Sequence, residues 1–448
     1  MVERCAENAG VGSPILPLGT ILYTCLGAGW PSIDLSDLPL GTIFLAASSP
    51  HIMQDKTITL RTGKKGKLKP GHPWIFKGQT LKTPPGIRAG DIVTIVDGSG
   101  KFVGRGYYNP ASEITIRLLT FKDEPIDGTF LQTKIEDAIA KREFLSETTN
   151  AKRLIFSEAD SLPGLIVDQY DDTLVFQIST LGMERMKEGL LRVLADIVNP
   201  KFIYEKSDSP FRKIEGLKTI KRWCLYDGET NIEIHEGGAK FIVDIEHGHK
   251  TGFYLDQRRS RAALKEISGG KTVLDLFCYT GGFSINAALG GAKRIVGVDI
   301  KPEWLAMARK NAQLNGVSDK IEHREGDVFD ILNNICDSGE KFDIIVLDPP
   351  SFVKEKKSLI TAVKGYKELN TLAMRSLNEG GTLCTFSCSY NMSNDIFSDV
   401  IKKSAAEAGK RLTVLKRCHQ DKDHPIVRSI PQTEYLKGYF VKVESVAT

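Results

Sequence analysis

The chain has 448 residues, 41% hydrophobic and 26% charged, with 60 basic and 56 acidic side chains and a formal net charge of +4. That length predicts two to four domains of a soluble globular protein, and the slight basic excess does not by itself point to a nucleic-acid partner. Apolar stretches such as 15–27 are broken by Pro17, Gly19 and Thr20 before the roughly 20 residues a bilayer crossing needs, so no membrane partner is expected. Eight cysteines lie scattered without a C-x-x-C pair, which predicts no metal site and no disulfide framework, and makes the reducing cytoplasm the expected location.

Residues 1–52 hold one basic residue, Arg4, and read as an extension of doubtful status, disordered or preceding a natural start at Met53. Segment 53–122 follows, with alternating runs at 58–60, 91–96 and 113–118 between Gly and Pro turns, which predicts a small all-β domain. Inside it, Lys64, Lys65, Lys67 and Lys69 lead into Gly71-His-Pro-Trp-Ile-Phe76. Lysines beside His72 and Trp74 predict phosphate contact and base stacking; the competing reading is a solvated loop before a strand that buries Trp74 and Phe76. Segment 127–236 predicts an α+β central domain: a helix over 130–145, a hairpin of 165–170 and 173–178 about Asp171-Asp172, a helix near 183–198 and a strand at 202–205.

In segment 237–448 strand and helix alternate. Strands at 272–278, 294–300, 321–325, 342–347 and 382–388, with helices after Gly282, from Pro302 and over 362–377, predict a doubly wound, Rossmann-like parallel sheet. In such a sheet the carboxyl ends of the strands line the ligand crevice.

Three features fall at those ends. Leu274-Asp-Leu-Phe-Cys-Tyr-Thr-Gly-Gly282 joins a strand to a helix with glycines that permit close ligand approach, and Asp299 ends the next strand where a carboxylate accepts ribose hydroxyls. The turn is not G-x-G-x-x-G, which favours a nucleoside without phosphates. Asp327 is placed to bond an adenine amino group or, equally, to cap the helix that follows. Asp348, in Asp-Pro-Pro350, and Cys388, in Phe386-Ser-Cys-Ser389, close two successive buried strands.

An acid and a thiol facing one substrate suit methylation of cytosine at carbon-5. A thiolate adds to carbon-6 while a protonated Asp348 bonds ring N3. Cys384, inside an apolar strand, reads as packing, and Cys278 as part of the cofactor turn. Phe352 is a candidate for base stacking and Lys354, Lys356 and Lys357 for phosphate contact. His247, His249 and His424 give no assignable base.

The ordered set Tyr279-Thr-Gly-Gly-Phe283, Val298-Asp299, Gly326-Asp327, Asp348-Pro-Pro350 and Phe386-Ser-Cys-Ser389, with Gly248-His-Lys-Thr-Gly-Phe-Tyr-Leu-Asp-Gln-Arg258 upstream, resembles the RlmI-type large-subunit rRNA cytosine-C5 methyltransferases. The likeness runs from about residue 57 to the C-terminus; residues 1–52 have no counterpart. It implies a class I methyltransferase fold in 237–448, a PUA-like RNA-binding domain in 53–122, and S-adenosyl-L-methionine as cofactor. The cofactor would be held by Asp275, Phe277, Tyr279, Thr280, Gly281, Asp299, Asp327 and Asp348. It further implies Cys388 as nucleophile, Asp348 as its catalytic partner, RNA contact through Lys64, Lys65, Lys67, His72 and Trp74, and ribosomal RNA as partner, with a homodimer left open. Two alternatives remain: Asp348-Pro-Pro-Ser-Phe352 also resembles the signature of methyltransferases acting on amino groups of adenine or guanine, and a non-catalytic RNA-binding assembly factor would keep the same fold.

Overall fold

The computed structural model describes residues 56–351 and 359–446. The extension 1–52, Phe352, Lys354, Lys356 and Lys357, and the side chain of Lys65, lie outside the described residues.

Chain order begins with β1 (Thr57–Thr59), β2 (Trp74–Ile75), β3 (Ile92–Val96), β4 (Phe102–Tyr108) and β5 (Ile116–Thr120), which form one sheet in the order β1-β3-β4-β5-β2. Alternation puts Ile58, Ile75, Val93, Ile95, Ile116 and Leu118 into its core. Next come α1 (Gly128–Ala140), β6 (Ala151–Phe156), β7 (Leu165–Tyr170), β8 (Thr173–Ile178), α2 (Leu181–Arg185), α3 (Lys187–Val198), β9 (Phe202–Ser207), α4 (Phe211–Ile214) and β10 (Ile220–Leu225). Their strands make a second sheet, β10-β9-β8-β7-β6, in which β7 and β8 are the expected hairpin.

Two helices depart from what their periodicity predicts. The first stops at Ala140 because Arg142 turns inward and is fully buried against Asp160. The helix expected near 183–198 is broken at Met186, and its first part lies so close to Tyr107 of β4 that a Cβ on Gly182 would fall 2.0 Å from that ring.

A hairpin of β11 (Asn231–Glu236) and β12 (Ala239–Asp244) leads to α5 (Arg258–Ile267) and then to the regular alternation: β13 (Thr272–Leu276), α6 (Gly282–Leu289), β14 (Arg294–Asp299), α7 (Pro302–Leu314), β15 (Ile321–Glu325), α8 (Val328–Ser338), β16 (Phe342–Leu347), α9 (Leu359–Arg375), β17 (Leu377–Ser387), α10 (Asn394–Ala408), β18 (Lys410–His419) and β19 (Lys437–Ser445). The sheet order is β15-β14-β13-β16-β17-β19-β18. Neighbouring strands from β15 to β17 pair in parallel, while β19 runs antiparallel between β17 and β18. This is a doubly wound sheet: one face is buried by α8, α9 and α10, the other by α5, α6 and the hairpin. The latter core continues into the second sheet through Tyr170, Val175 and Tyr204, so the two sheets share one apolar cluster. No helix among the described residues is long and apolar enough to cross a membrane.

Buried charges join the same two parts. Arg153 of β6 grips Asp168 of β7 with two bonds of 2.7 Å, and its backbone amide donates to Asp423 at 3.0 Å. Asp423 also receives Arg258, the first residue of α5, at 3.2 Å, while Arg258 reaches Asp421 at 2.6 Å and the carbonyl of Ala151 at 2.7 Å. His424 bonds the other oxygen of Asp423 at 2.7 Å. Removing one partner of such a group strands the others without water. Asp423→Ala is therefore expected to lower stability by about 3–5 kcal/mol, read as a fall in the urea midpoint. Asp399→Ala, which breaks an exposed pair with Lys403, should change stability by under about 1 kcal/mol.

Candidate active site

The carboxyl ends of β13, β14, β16 and β17 point to one crevice, and the segment before α5 closes its side. After β13 the chain must turn sharply into α6. Phe277, Tyr279 and Gly281 all adopt positive φ, of 62°, 50° and 84°. For the two aromatic residues this stores roughly 1–3 kcal/mol of strain each, which the surroundings must hold in place. Tyr279 shows how: its backbone N–H donates to Asp299 Oδ2 at 2.9 Å, its hydroxyl donates to the Gly252 carbonyl at 3.1 Å and accepts from the His249 amide at 2.9 Å, and its ring stacks on His249 at 4.9 Å.

Asp275 Oδ2 accepts from the Ser284 amide and hydroxyl at 2.9 and 2.6 Å, tying the strand to the first turn of α6. Burial pushes its carboxyl up to about 7, against the Ser284 bonds, and Asp348 and Asp299 add to the rise. Its Oδ1 and the hydroxyl of Thr280 are buried with no partner among the described residues. Asp299 keeps Oδ1 on the Lys301 amide at 3.1 Å. Ile300, next along, presents an exposed apolar side chain beside that carboxylate. Orphaned acceptors, a carboxylate at the end of β14 and a neighbouring apolar surface fit a ligand that brings hydroxyls, an ammonium group and a flat base. Asp327 is exposed and accepts from the Phe329 amide at 2.8 Å, so it caps α8.

At the other end of the crevice Asp348 and Cys388 share one environment. Burial pushes the Cys388 thiol up to about 11; the Asp348 charge adds to the rise and Lys250 opposes it. Burial likewise raises Asp348 to about 7, aided by Asp256 and opposed by a bond from Gln257, by Lys250 and by Arg261. The Tyr254 phenol is raised by burial and then by Asp348 and Cys388, so it belongs to the same cluster. Cys278 and Cys384 differ from Cys388 in access: both are buried and pushed well above the ordinary thiol range by burial, whereas Cys388 is half-buried at the rim of the core.

The Gly248–Arg258 segment brings further polar side chains to the site, beyond His249. Lys250, itself at φ 54°, donates to Asp256 Oδ2 at 2.6 Å and lies 4.4 Å over the Tyr254 ring. Tyr435 donates to the same carboxylate oxygen at 2.6 Å, and Gln257 Nε2 donates to Asp348 Oδ2 at 3.0 Å. The available signal was the density of polar residues in a short turn directly before a helix.

The first sheet divides its candidates. Lys64, Lys67 and, at 43% exposure, Phe76 face outward. His72 is only 4% exposed, bonds Gln432 Oε1 at 3.0 Å and accepts from the Trp74 amide at 3.2 Å. Trp74 is half-buried and donates to Glu158 Oε1 at 2.9 Å. Of the three histidines considered, His247 is exposed, His249 stacks on Tyr279, and His424 is buried on Asp423.

Residues 219–435 match the model of an S-adenosylmethionine-dependent methyltransferase family, and residues 58–121 that of a PUA-like domain. The chain is similar to "Ribosomal RNA large subunit methyltransferase I" of Escherichia coli O139:H28, with 40% identity over 393 residues, 86% of this chain and 99% of the relative. The protein of that name from Klebsiella pneumoniae strain 342 is 39% identical over 86% of this chain and 98% of its own length. Among solved structures, the methyltransferase SMU.776 complexed with SAH superposes with a TM-score of 0.76 at 24% identity, covering 86% of this chain and 99% of that one, which speaks for the fold. S-adenosylmethionine is accordingly the cofactor. Similar to such relatives over nearly their whole length, the chain belongs to the ribosomal RNA large subunit methyltransferase I family of S-adenosylmethionine-dependent methyltransferases.

Proposed function

We propose that this methyltransferase acts on carbon-5 of a cytosine in large-subunit ribosomal RNA through a covalent adduct to Cys388. The observation that carries the reading is a half-buried thiol and a protonatable carboxyl in mutual electrostatic range at the ends of adjacent parallel strands. The names of its relatives support the RNA class. The PUA-like match and the exposed Lys64 and Lys67 supply a surface suited to phosphates. Asp275, Thr280 and Asp299 would hold the cofactor, together with the backbone of Phe277, Tyr279 and Gly281. Asp327, the N-cap of α8, has a second oxygen for the base. When bound, S-adenosylmethionine supplies an electrophilic methyl group.

Carbon-5 of cytosine needs activation before it can take that methyl. Cys388 Sγ forms a bond to carbon-6, the C5=C6 pair moves to C4–C5, and the displaced C4=N3 pair takes a proton from Asp348 at N3. Carbon-5 then takes up the methyl group, N3 returns its proton to Asp348, and loss of the carbon-5 proton re-forms C5=C6 as the thiolate leaves. The base must be unstacked from the RNA to reach this site.

The reactive arrangement, thiolate with neutral acid, contains one proton between two groups. Below about pH 7 the resting pair holds two protons, one on each group; between about 7 and 11 it holds one; above about 11 it holds none. The value of kcat/KM should therefore rise through about pH 7 and then level off, and a profile that instead falls above 7 would show that Asp348 must begin protonated. Asp348→Asn should abolish that acid limb.

Cys388→Ala is expected to lose methyl transfer by on the order of 10³-fold or more while still binding S-adenosylmethionine in calorimetry. Full turnover by this variant would move the target to an exocyclic amine. Asp299→Ala should weaken cofactor binding roughly 10- to 100-fold in the same calorimeter, as expected when a charged hydrogen-bond acceptor is removed.

A further inference from the structure

Gln257 is 2% exposed and occupies the end of a single 3-10 turn, Leu255–Gln257, immediately before α5. Its neighbours are both anchored: Asp256 holds Lys250 and Tyr435, and Arg258 is locked to Asp421 and Asp423. Between them the Gln257 amide has little room to move. Its Nε2 donates to Asp348 Oδ2 at 3.0 Å, and its Oε1 is buried without a partner among the described residues. An ionised Asp348 also fixes which way round the amide sits, because a carboxylate can accept only from Nε2.

Two consequences follow from that single bond. An oxygen that accepts an amide N–H is the poorer place for an acid proton, so when Asp348 becomes neutral its proton resides on Oδ1. The buried Oε1, on the same amide plane as the donor, lacks the hydrogen bond that a buried carbonyl oxygen needs. A base that brings an acceptor at N3 and an amine beside it satisfies both groups. Cytosine has that pattern; uracil presents a donor at N3 and a carbonyl next to it, so donor would face donor and acceptor would face acceptor.

We propose that Gln257 is the residue that makes the site select cytosine over uracil: it directs the acid proton of Asp348 to Oδ1 for ring N3 and offers Oε1 to the exocyclic amine. The assignment rests on the cytosine reading above. It explains why a polar side chain is placed in full burial at this position, where Leu255 two residues earlier faces the core. A site with paired polar groups rejects a base lacking the match far better than an apolar pocket can. Gln257 acts through Asp348 as well as on the base, so its removal should move the titration of that acid. The bond from Gln257 lowers the Asp348 pKa, and losing it must shift the acid limb upward.

The test uses the full chain with a large-subunit rRNA transcript and S-adenosylmethionine carrying a tritiated methyl group, with digestion to nucleosides and separation of 5-methylcytidine from 5-methyluridine. Gln257→Glu, nearly isosteric, and Gln257→Met are compared with the unsubstituted chain, and cofactor calorimetry reports that each variant is folded. Expected are a roughly 10- to 100-fold loss of kcat/KM on cytosine, an acid limb displaced to higher pH, and a 5-methyluridine share raised at least about tenfold. Should Gln257→Met fail to bind cofactor, Gln257→Glu alone decides. Slower turnover with an unmoved pH limb and an unchanged nucleoside ratio would reduce Gln257 to packing and overturn the assignment. If the unsubstituted chain itself makes no 5-methylcytidine, the cytosine reading fails, and this proposal falls with it.

Discussion

Asp423 is the point on which the site depends. Its carboxylate collects the Arg153 amide from the second sheet, the Arg258 guanidinium from the start of α5, and the imidazole of His424. Burial alone would raise this acid, yet the surrounding cations hold it well below the usual carboxylate range. The charge is thus kept, and with it the position of Arg258. Since α5 begins at that residue, the turn before it, which carries Asp256 and Gln257 and through Asp256 binds Lys250, is held at a fixed distance from the strand ends. Exposed pairs elsewhere, such as Lys403 with Asp399, hold nothing comparable in place.

Desolvation does opposite things at the two ends of this arrangement. In the network, Asp423 meets the Arg258 guanidinium and Asp256 the Lys250 ammonium group, so low dielectric strengthens attraction and both are held well below the usual carboxylate range despite their burial. At the crevice, burial wins and both Asp275 and Asp348 rise to about 7: Asp275 has only the Ser284 donors against the charges of Asp348 and Asp299, and Asp348 has the Gln257 amide and the more distant Lys250 and Arg261 against the charge of Asp256. A carboxyl that titrates near neutrality can both give and receive a proton, which is what a reaction that adds and removes a thiolate requires. The same water exclusion raises Cys388 to about 11, so between about pH 7 and 11 the one proton of the pair rests on the thiol and the carboxylate is an acceptor in electrostatic range.

Much of the fold could be read from the chain. Strands β13, β14 and β16 are continuous apolar runs because helices cover both faces, and such runs bounded by Gly or Asp are recognisable. By contrast β18, Lys-Arg-Leu-Thr-Val-Leu-Lys-Arg-Cys-His, lies at the sheet edge with most of its residues exposed and a bulge between Val414 and Lys416, so its pattern has neither period nor burial. The hairpin of β11 and β12 was also silent, because its outer residues are charged. In the site, Asp348 and Cys388 were legible from their place at strand ends. His72 was not, since its partner Gln432 lies 360 positions further along the chain. The role of Gln257 was hidden for the same reason: an amide acquires meaning from the carboxylate it meets, 91 positions away.

Tyr279 links the cofactor turn to the substrate side. Its strained backbone is held by Asp299, a residue expected to meet the cofactor, and its hydroxyl is held between the Gly252 carbonyl and the His249 amide, within the segment that carries Lys250. A Cβ on Gly248 would fall 2.9 Å from that hydroxyl and 2.3 Å from the Asp244 carbonyl, so the segment approaches as closely as a glycine allows. Strain that is maintained from both sides cannot relax on one side without disturbing the other. The strained turn at Tyr279 and the segment that carries Lys250 therefore form one constraint: the geometry proposed to receive the methyl donor and the geometry proposed to steer the base share the same hydrogen bonds.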